Sequence, residues 1–151
     1  MPGRAVAAHL HRGVPHGIVV ISAYFKDGEG LGQANSQYLW TLVQYVCQLN
    51  SQQQPWIMCA DWNMDLDVLT QSPWLEFVQA VSFLPNEPTC RQVVPGTTID
   101  YFIACRSLSA RLGPHVSVDE TASTFPHLPV SIPVKAADSP MWTRVAHCLL
   151  S

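Results

Sequence analysis

The spacing of apolar positions changes several times along the chain, and each change predicts an element. Residues 18–25, Ile-Val-Val-Ile-Ser-Ala-Tyr-Phe, are β-branched and apolar, the pattern of a buried strand. Residues 4–12 alternate small and polar side chains, and Gly13-Val14-Pro15-His16-Gly17 supplies the turn of a β-hairpin. The Gly-rich stretch 26–32 lacks the spacing of a dinucleotide or phosphate loop and reads as a connection. From Gln33 to about Gln53 the period becomes helical, with Tyr38, Leu39, Leu42, Val43, Tyr45, Val46 and Leu49 on one face. Asn35 or Ser36 is placed to cap this helix, and the approach to Pro55 ends it.

Residues 56–60 form a second buried strand, which runs into Asp61 and an acidic loop. Ser72-Pro73-Trp74-Leu75-Glu76 has the order of a helix start, and Leu75, Val78 and Val81 carry a short helix to about residue 81. Residues 83–91, with Pro85 and Pro88, read as irregular, and 97–105 as a third strong strand. An edge strand over 114–120, a loop over 121–125 and a proline-broken last strand over 127–134 follow. Residues 136–151 are expected to be a tail with a short helix. Strands alternating with helices make this an α/β layered chain.

Composition narrows the class. At 151 residues, 48% hydrophobic and 13% charged, the chain suits one folded domain rather than two. Its charged share is low, as expected if some apolar surface is meant to be covered by further chain. No apolar run approaches the roughly 18 residues of a membrane helix, and the opening residues are too polar for a secretory signal. Five scattered cysteines, three of them inside apolar runs, predict free thiols in a reducing compartment. That places the chain inside a cell, with nucleus and cytoplasm not distinguished. With eight Lys and Arg and a net charge of −3, no basic stripe marks a nucleic-acid footprint. A phosphodiester substrate stays open, because a divalent metal can supply positive charge.

The candidate chemistry sits at strand ends. Asp61 closes a buried strand and Asn63 follows two residues later, a carboxylate and an amide on a rigid support. The competing reading is a plain turn, since Asp and Asn favour turns. Asp100 lies inside an apolar run, where a carboxylate must be paired, protonated or catalytic. His127 taken alone is a surface histidine. Taken together, one carboxylate can orient the imidazole, a second can activate water, and the amide can reach a phosphate oxygen.

In this order the residues resemble the C-terminal part of the endonuclease/exonuclease/phosphatase superfamily of metal-dependent phosphoesterases. Its Gly-Asp-Xaa-Asn motif stands here as Ala60-Asp61-Trp62-Asn63, and its Ile-Asp-Tyr strand as Ile99-Asp100-Tyr101, preceded by the Thr89 region. The strand ending in Tyr is Ile21-Ser22-Ala23-Tyr24, and the terminal Ser-Asp-His-Xaa-Pro-Val motif is Phe125-Pro126-His127-Leu128-Pro129-Val130. The resemblance implies part of a four-layer α/β sandwich, a mostly antiparallel sheet flanked by helices, in residues 1–135, with 136–151 a tail and the first half of the fold missing. It implies hydrolysis of a phosphodiester, nucleic acid first among substrates, with Mg²⁺ or Mn²⁺. Asp61 would activate the water and Asn63 would bind the phosphate. His127 would stabilise developing charge with Asp100 behind it, and Tyr24 would touch the phosphate.

Several positions depart from the pattern. The family's metal-holding Glu and N-terminal Asn have no counterpart here, so the metal ligands are left unassigned and catalysis is expected only in a fuller chain. Pro126 replaces the acid before the final His, Ala60 replaces the Gly, and Asp27 stands near the place of an Asn. The alternative is a degenerate non-catalytic remnant or binding module, with a retroelement as one source for it.

Overall fold

A computed structural model of the protein describes residues 4–11 and 16–135, and the backbone of 142–144. The chain forms β1 (Ala5–Leu10), β2 (Ile18–Tyr24), α1 (Gln33–Ser51), β3 (Trp56–Asp61), α2 (Leu66–Thr70), α3 (Trp74–Phe77), β4 (Ala80–Phe83), β5 (Asp100–Cys105) and α4 (Arg106–Ser109). Short strands β6 (Ser117–Val118), β7 (Val130–Ser131), β8 (Pro133–Lys135) and β9 (Trp142–Arg144) complete it.

The main sheet has five strands in the order β1-β2-β3-β5-β4. Only β2 and β3 run parallel; the other neighbours are antiparallel. A parallel pair requires a crossover, and the 19-residue α1 is that crossover. The result is a mixed α/β, mostly antiparallel architecture. β6 pairs with β7, and β8 with β9, as separate two-stranded ladders.

Burial follows strand position. Every residue of β3 and β5 is buried, as expected for central strands covered on both faces. Every residue of β1 is exposed, including Val6 at 65%, so this edge strand has cover on neither face. The apolar face of α1 joins the same core as the sheet through Leu39, Leu42, Val43 and Val46. The loop before α1 is tied down by Asn35, which is fully buried. Its side chain accepts from the Lys26 amide and donates to the carbonyls of Lys26 and Gly30, so its burial leaves no polar group unpaired.

Some predicted elements are corrected. The expected helix to Val81 stops at Phe77, because Gln79 adopts φ 52° and turns the chain into β4. Val81 and Phe83 then pair with Ala104 and Phe102 of β5, so residue 83 begins no irregular segment. The acidic loop contains α2, with Asp65 at its N-cap position. The first residue outside α1 is Gly32, and neither Asn35 nor Ser36 caps the helix; Ser72 likewise does not cap α3, whose N-cap position is Pro73. The edge strand over 114–120 shrinks to β6, and the last strand divides into β7 and β8 at Ile132. β9 falls within the expected tail; the rest of that tail, with its short helix, lies outside the described residues, as does Cys148. Cys59, Cys90 and Cys105 are buried and Cys47 is half-buried. No helix among the described residues is long and apolar enough to cross a membrane.

Candidate active site

The register of the sheet sets out the site. Tyr24 is opposite Asp61, and Asp61 is opposite Asp100, so the ends of β2, β3 and β5 meet in one row. Residues directly opposed across a ladder project to the same face. Tyr24 is 40% exposed, whereas Asp61 and Asp100 are 4% and 5% exposed. Two carboxylates thus lie side by side with little water, which raises the energy of ionising both.

His127 arrives from a distant segment. Its backbone lies beside Cys90, with Arg91 N donating to Pro126 O at 2.9 Å and Leu128 N to Thr89 O at 2.7 Å. The ring meets Asp100 through Nδ1, at 3.0 Å from Oδ2 and 3.2 Å from Oδ1. Nε2 is 3.7 Å from Asp61 Oδ2. The imidazole therefore bridges the two acids, one face of its charge held by Asp100 and the other turned to Asp61.

The electrostatics follow from this packing. Burial, and then the neighbouring Asp100 charge, push the Asp61 carboxyl up to about 6, against the opposing pull of His127 and of the Asn63 hydrogen bonds. The hydrogen bond that its Nδ1 donates to Asp100 holds the His127 imidazole above its ordinary value despite partial burial, helped by the charges of Asp100 and Asp61. A carboxyl raised to about 6 beside an imidazole whose protonated form is favoured is an arrangement suited to moving protons.

The turn after β3 explains the Asp-Xaa-Asn spacing. Asn63 has φ 49°, a left-handed conformation that Asn tolerates better than most residues. Its amide N donates to Asp61 Oδ1 at 3.1 Å, and its Nδ2 donates to Phe25 O at 2.9 Å. Phe25 N in turn donates to Asp61 O. The end of β2 is therefore laced to the turn, and the Asn63 side chain reaches the Asp61 carboxylate as well as the Phe25 carbonyl. Asp65 and Asp67, the other acids of this stretch, are exposed on α2.

Trp62, between the two polar residues, points the other way. It is fully buried and stacks on Phe25 (4.8 Å between ring centroids) and on Tyr101 (5.3 Å), with Trp74 at 6.0 Å. Its Nε1 donates to Tyr101 O. The polar pair thus stands on an aromatic base.

Thr89 holds Asp100 from behind. This fully buried hydroxyl accepts from Asp100 N at 3.0 Å and from Ile99 N at 3.1 Å. Thr89→Val is expected to strand two buried N–H groups and cost about 2–4 kcal/mol in urea unfolding, with Thr89→Ser near wild type. An apolar cleft of about 360 Å³ between α1 and α3, walled by Trp40, Trp74 and Phe77, includes none of these site residues.

No protein-family model matches the sequence, and no curated protein matches it. Solved structures do. The cytolethal distending toxin of Haemophilus ducreyi superposes with a TM-score of 0.63 at 19% identity, over 87% of this chain and 52% of the toxin chain. The 3′-5′ exonuclease NExo of Neisseria meningitidis gives 0.57 at 18% identity, over 87% of this chain and 65% of that one. The endonuclease domain of TRAS1, a telomere-specific non-LTR retrotransposon, gives 0.62 at 13% identity, over 88% and 62%. The chain spans about half the length of the toxin chains it matches. At these identities the likeness is one of fold, and the chain has, over part of its length, the fold of the endonuclease/exonuclease/phosphatase type.

Proposed function

We propose that this chain carries the hydrolytic half of a metal-dependent phosphodiesterase that acts on nucleic acid. The observation that supports it most is the closed Asp61–His127–Asp100 constellation, built from three separated segments and laced by Asn63. Asp61 orients water and takes its proton, a task matched by a carboxyl near 6. His127 offsets the charge that develops on phosphorus oxygens, and Asp100 keeps the ring oriented and charged. Asn63 and Tyr24 position the phosphate. Nuclease names among the structural neighbours favour a nucleic-acid substrate.

The donor set fits a hard divalent cation. Asp61, Asp100 and His127 each offer one ligand atom, all within 4.8 Å of one another. With His127 kept charged its ring would not ligate, so Asp61 and Asp100 are the groups that would hold Mn²⁺ or Mg²⁺, with waters filling its shell. Such an ion supplies positive charge where two acids face an anionic substrate. Both oxygens of Asp100 also face His127, so a further carboxylate is needed, and we place it in a first half of the fold outside these residues.

The test combines binding and turnover. Residues 1–151 are assayed for hydrolysis of supercoiled plasmid and bis(p-nitrophenyl) phosphate with Mg²⁺ or Mn²⁺, and for oligonucleotide binding in chelator. Binding without turnover is the expected result for a half-site. Turnover that vanishes in Asp61→Ala would keep the hydrolase reading and remove the need for a second half. Neither binding nor turnover would overturn the hydrolase and leave the degenerate remnant, which Pro126 in place of an acid favours.

A further inference from the structure

The charges of this chain are unevenly placed. Residues 27–90 contain Asp27, Glu29, Asp61, Asp65, Asp67, Glu76 and Glu87 and no Lys, Arg or His, so all eight Lys and Arg fall outside that stretch. The stretch holds α1, α2 and α3, and Asp65, Asp67 and Glu76 are exposed on the last two and the turn before them. α1 carries no charged residue in its 19 positions, and its exposed Gln37, Thr41, Gln44 and Gln48 are all neutral.

Beside this neutral helix lies the apolar cleft of about 360 Å³, walled by Leu39, Trp40 and Val43 of α1 and by Trp74 and Phe77 of α3. Trp40 is 58% and Phe77 is 64% exposed, so two large rings flank the opening. Trp74 is buried and fixed, with its Nε1 donating to Leu69 O of α2 at 3.2 Å. That bond ties α2, which carries Asp67, to the same wall, and Glu76 is the chain neighbour of Phe77. The centre of the surface is aromatic and uncharged, and its rim is acidic only.

Such a centre is what protein interfaces bury, since they are depleted of charge and enriched in Trp and Phe. The rim decides among occupants. Nucleic acid and an anionic lipid surface are repelled by it, and a second copy would bring the same acids. A cationic segment is drawn in and has no basic residue of α1, α2 or α3 to oppose it.

We propose that the α1–α3 cleft docks a basic amphipathic segment of a partner protein. Its apolar side chains sit between Trp40 and Phe77, and its Lys or Arg residues face Asp67 and Glu76. A helix presenting apolar anchors three and four residues apart suits a groove of this form. The cleft includes none of Tyr24, Asp61, Asn63, Asp100 and His127, so this docking stands apart from the hydrolase reading.

The experiment is an anisotropy titration of the full chain with a fluorescein-labelled amphipathic helical peptide of lysine and leucine. A glutamate and leucine peptide of the same pattern is the control. The lysine peptide is expected to bind and the glutamate peptide not to bind. Trp40→Gln and Phe77→Gln are each expected to weaken binding roughly tenfold while keeping the wild-type urea midpoint. Glu76→Gln is expected to weaken it about two- to fivefold at low salt and hardly at all at high salt. No binding of the lysine peptide overturns the proposal, and so does equal binding of both peptides. Binding that Trp40→Gln and Phe77→Gln leave unchanged moves the peptide elsewhere and overturns the cleft. Binding lost only in step with a lowered urea midpoint makes the two rings structural and overturns it as well. A wild-type dimer in sedimentation that Trp40→Gln dissociates puts a second copy in the cleft. A gain in peptide affinity on deleting residues 136–151 puts the chain's own tail there, and either result overturns the partner assignment.

Discussion

Trp62→Ala is expected to destabilise the fold by about 3–5 kcal/mol, the usual range for removing a large buried aromatic. Trp62 is fully enclosed, packs on Phe25, Trp74 and Tyr101, and satisfies its indole N–H on a carbonyl of β5. Alanine would leave a cavity that three rigid rings cannot close, and it would strand the Tyr101 carbonyl. A domain of this size has about 5–15 kcal/mol in total, so the variant should sit near its threshold at body temperature. Trp62→Phe keeps most of the stacking and should recover all but about 1–2 kcal/mol. Urea titrations followed by circular dichroism measure both, and equal midpoints for wild type and Trp62→Ala would refute the aromatic base as a support. Because Trp62 is bonded on either side to Asp61 and Asn63, its loss should also broaden the positions of both polar groups.

Asp61→Asn should act in the opposite direction, raising stability near pH 8 by about 2–3 kcal/mol while removing the proposed water-activating group. The Asp61 carboxyl rises from 3.8 in the open chain to about 6 in the fold, so the folded form holds the proton more tightly. Its contribution is therefore favourable at low pH and is lost as pH climbs from about 4 through about 6. His127 is also raised in the fold, from 6.5. Its contribution is present below 6.5 and disappears as pH passes its folded value, the same direction as Asp61. Wild type should accordingly be more stable near pH 5 than near pH 8, and the Asn variant should lose the lower part of that slope. Urea midpoints across this range decide it; a wild-type midpoint that rises from pH 5 to 8 would refute the assignment. Such a gain on removing a site carboxylate is the usual mark of a group kept for what it does rather than for what it holds together.

The sheet was legible wherever a pattern was long enough to have a period. β2, β3, β5 and α1 each carry six or more patterned residues and lie where the spacing puts them. β4 was hidden because four residues, Ala80 to Phe83, continue the three-residue spacing of the helix before them. Nothing in the sequence announces that Gln79 takes a left-handed turn there. The order of Asp61, Asn63, Asp100 and His127 pointed to one place, and the fold brings those side chains within reach of each other. Other members of the neighbourhood carry no sequence signal. Phe25 contributes a carbonyl, and Trp62 reads as one more buried aromatic. Asp65 and Asp67, the two carboxylates close behind Asp61, face solvent at the start of α2, off the row.

The strand order has a kinetic corollary. β2 must wait for α1 to return the chain to β3, and β3 must wait for β5 before its second edge is paired, with His127 later still. The contacts that join Asp61, Asp100 and His127 are thus long-range closures, which cost loop entropy before they return anything. A chain emerging from the ribosome presents Asp61 long before it presents Asp100 or His127, and the carboxylate–imidazole contacts form only when residue 127 is free to dock. Whatever the site does, its carboxylates and imidazole come together only once folding over the described sheet is complete.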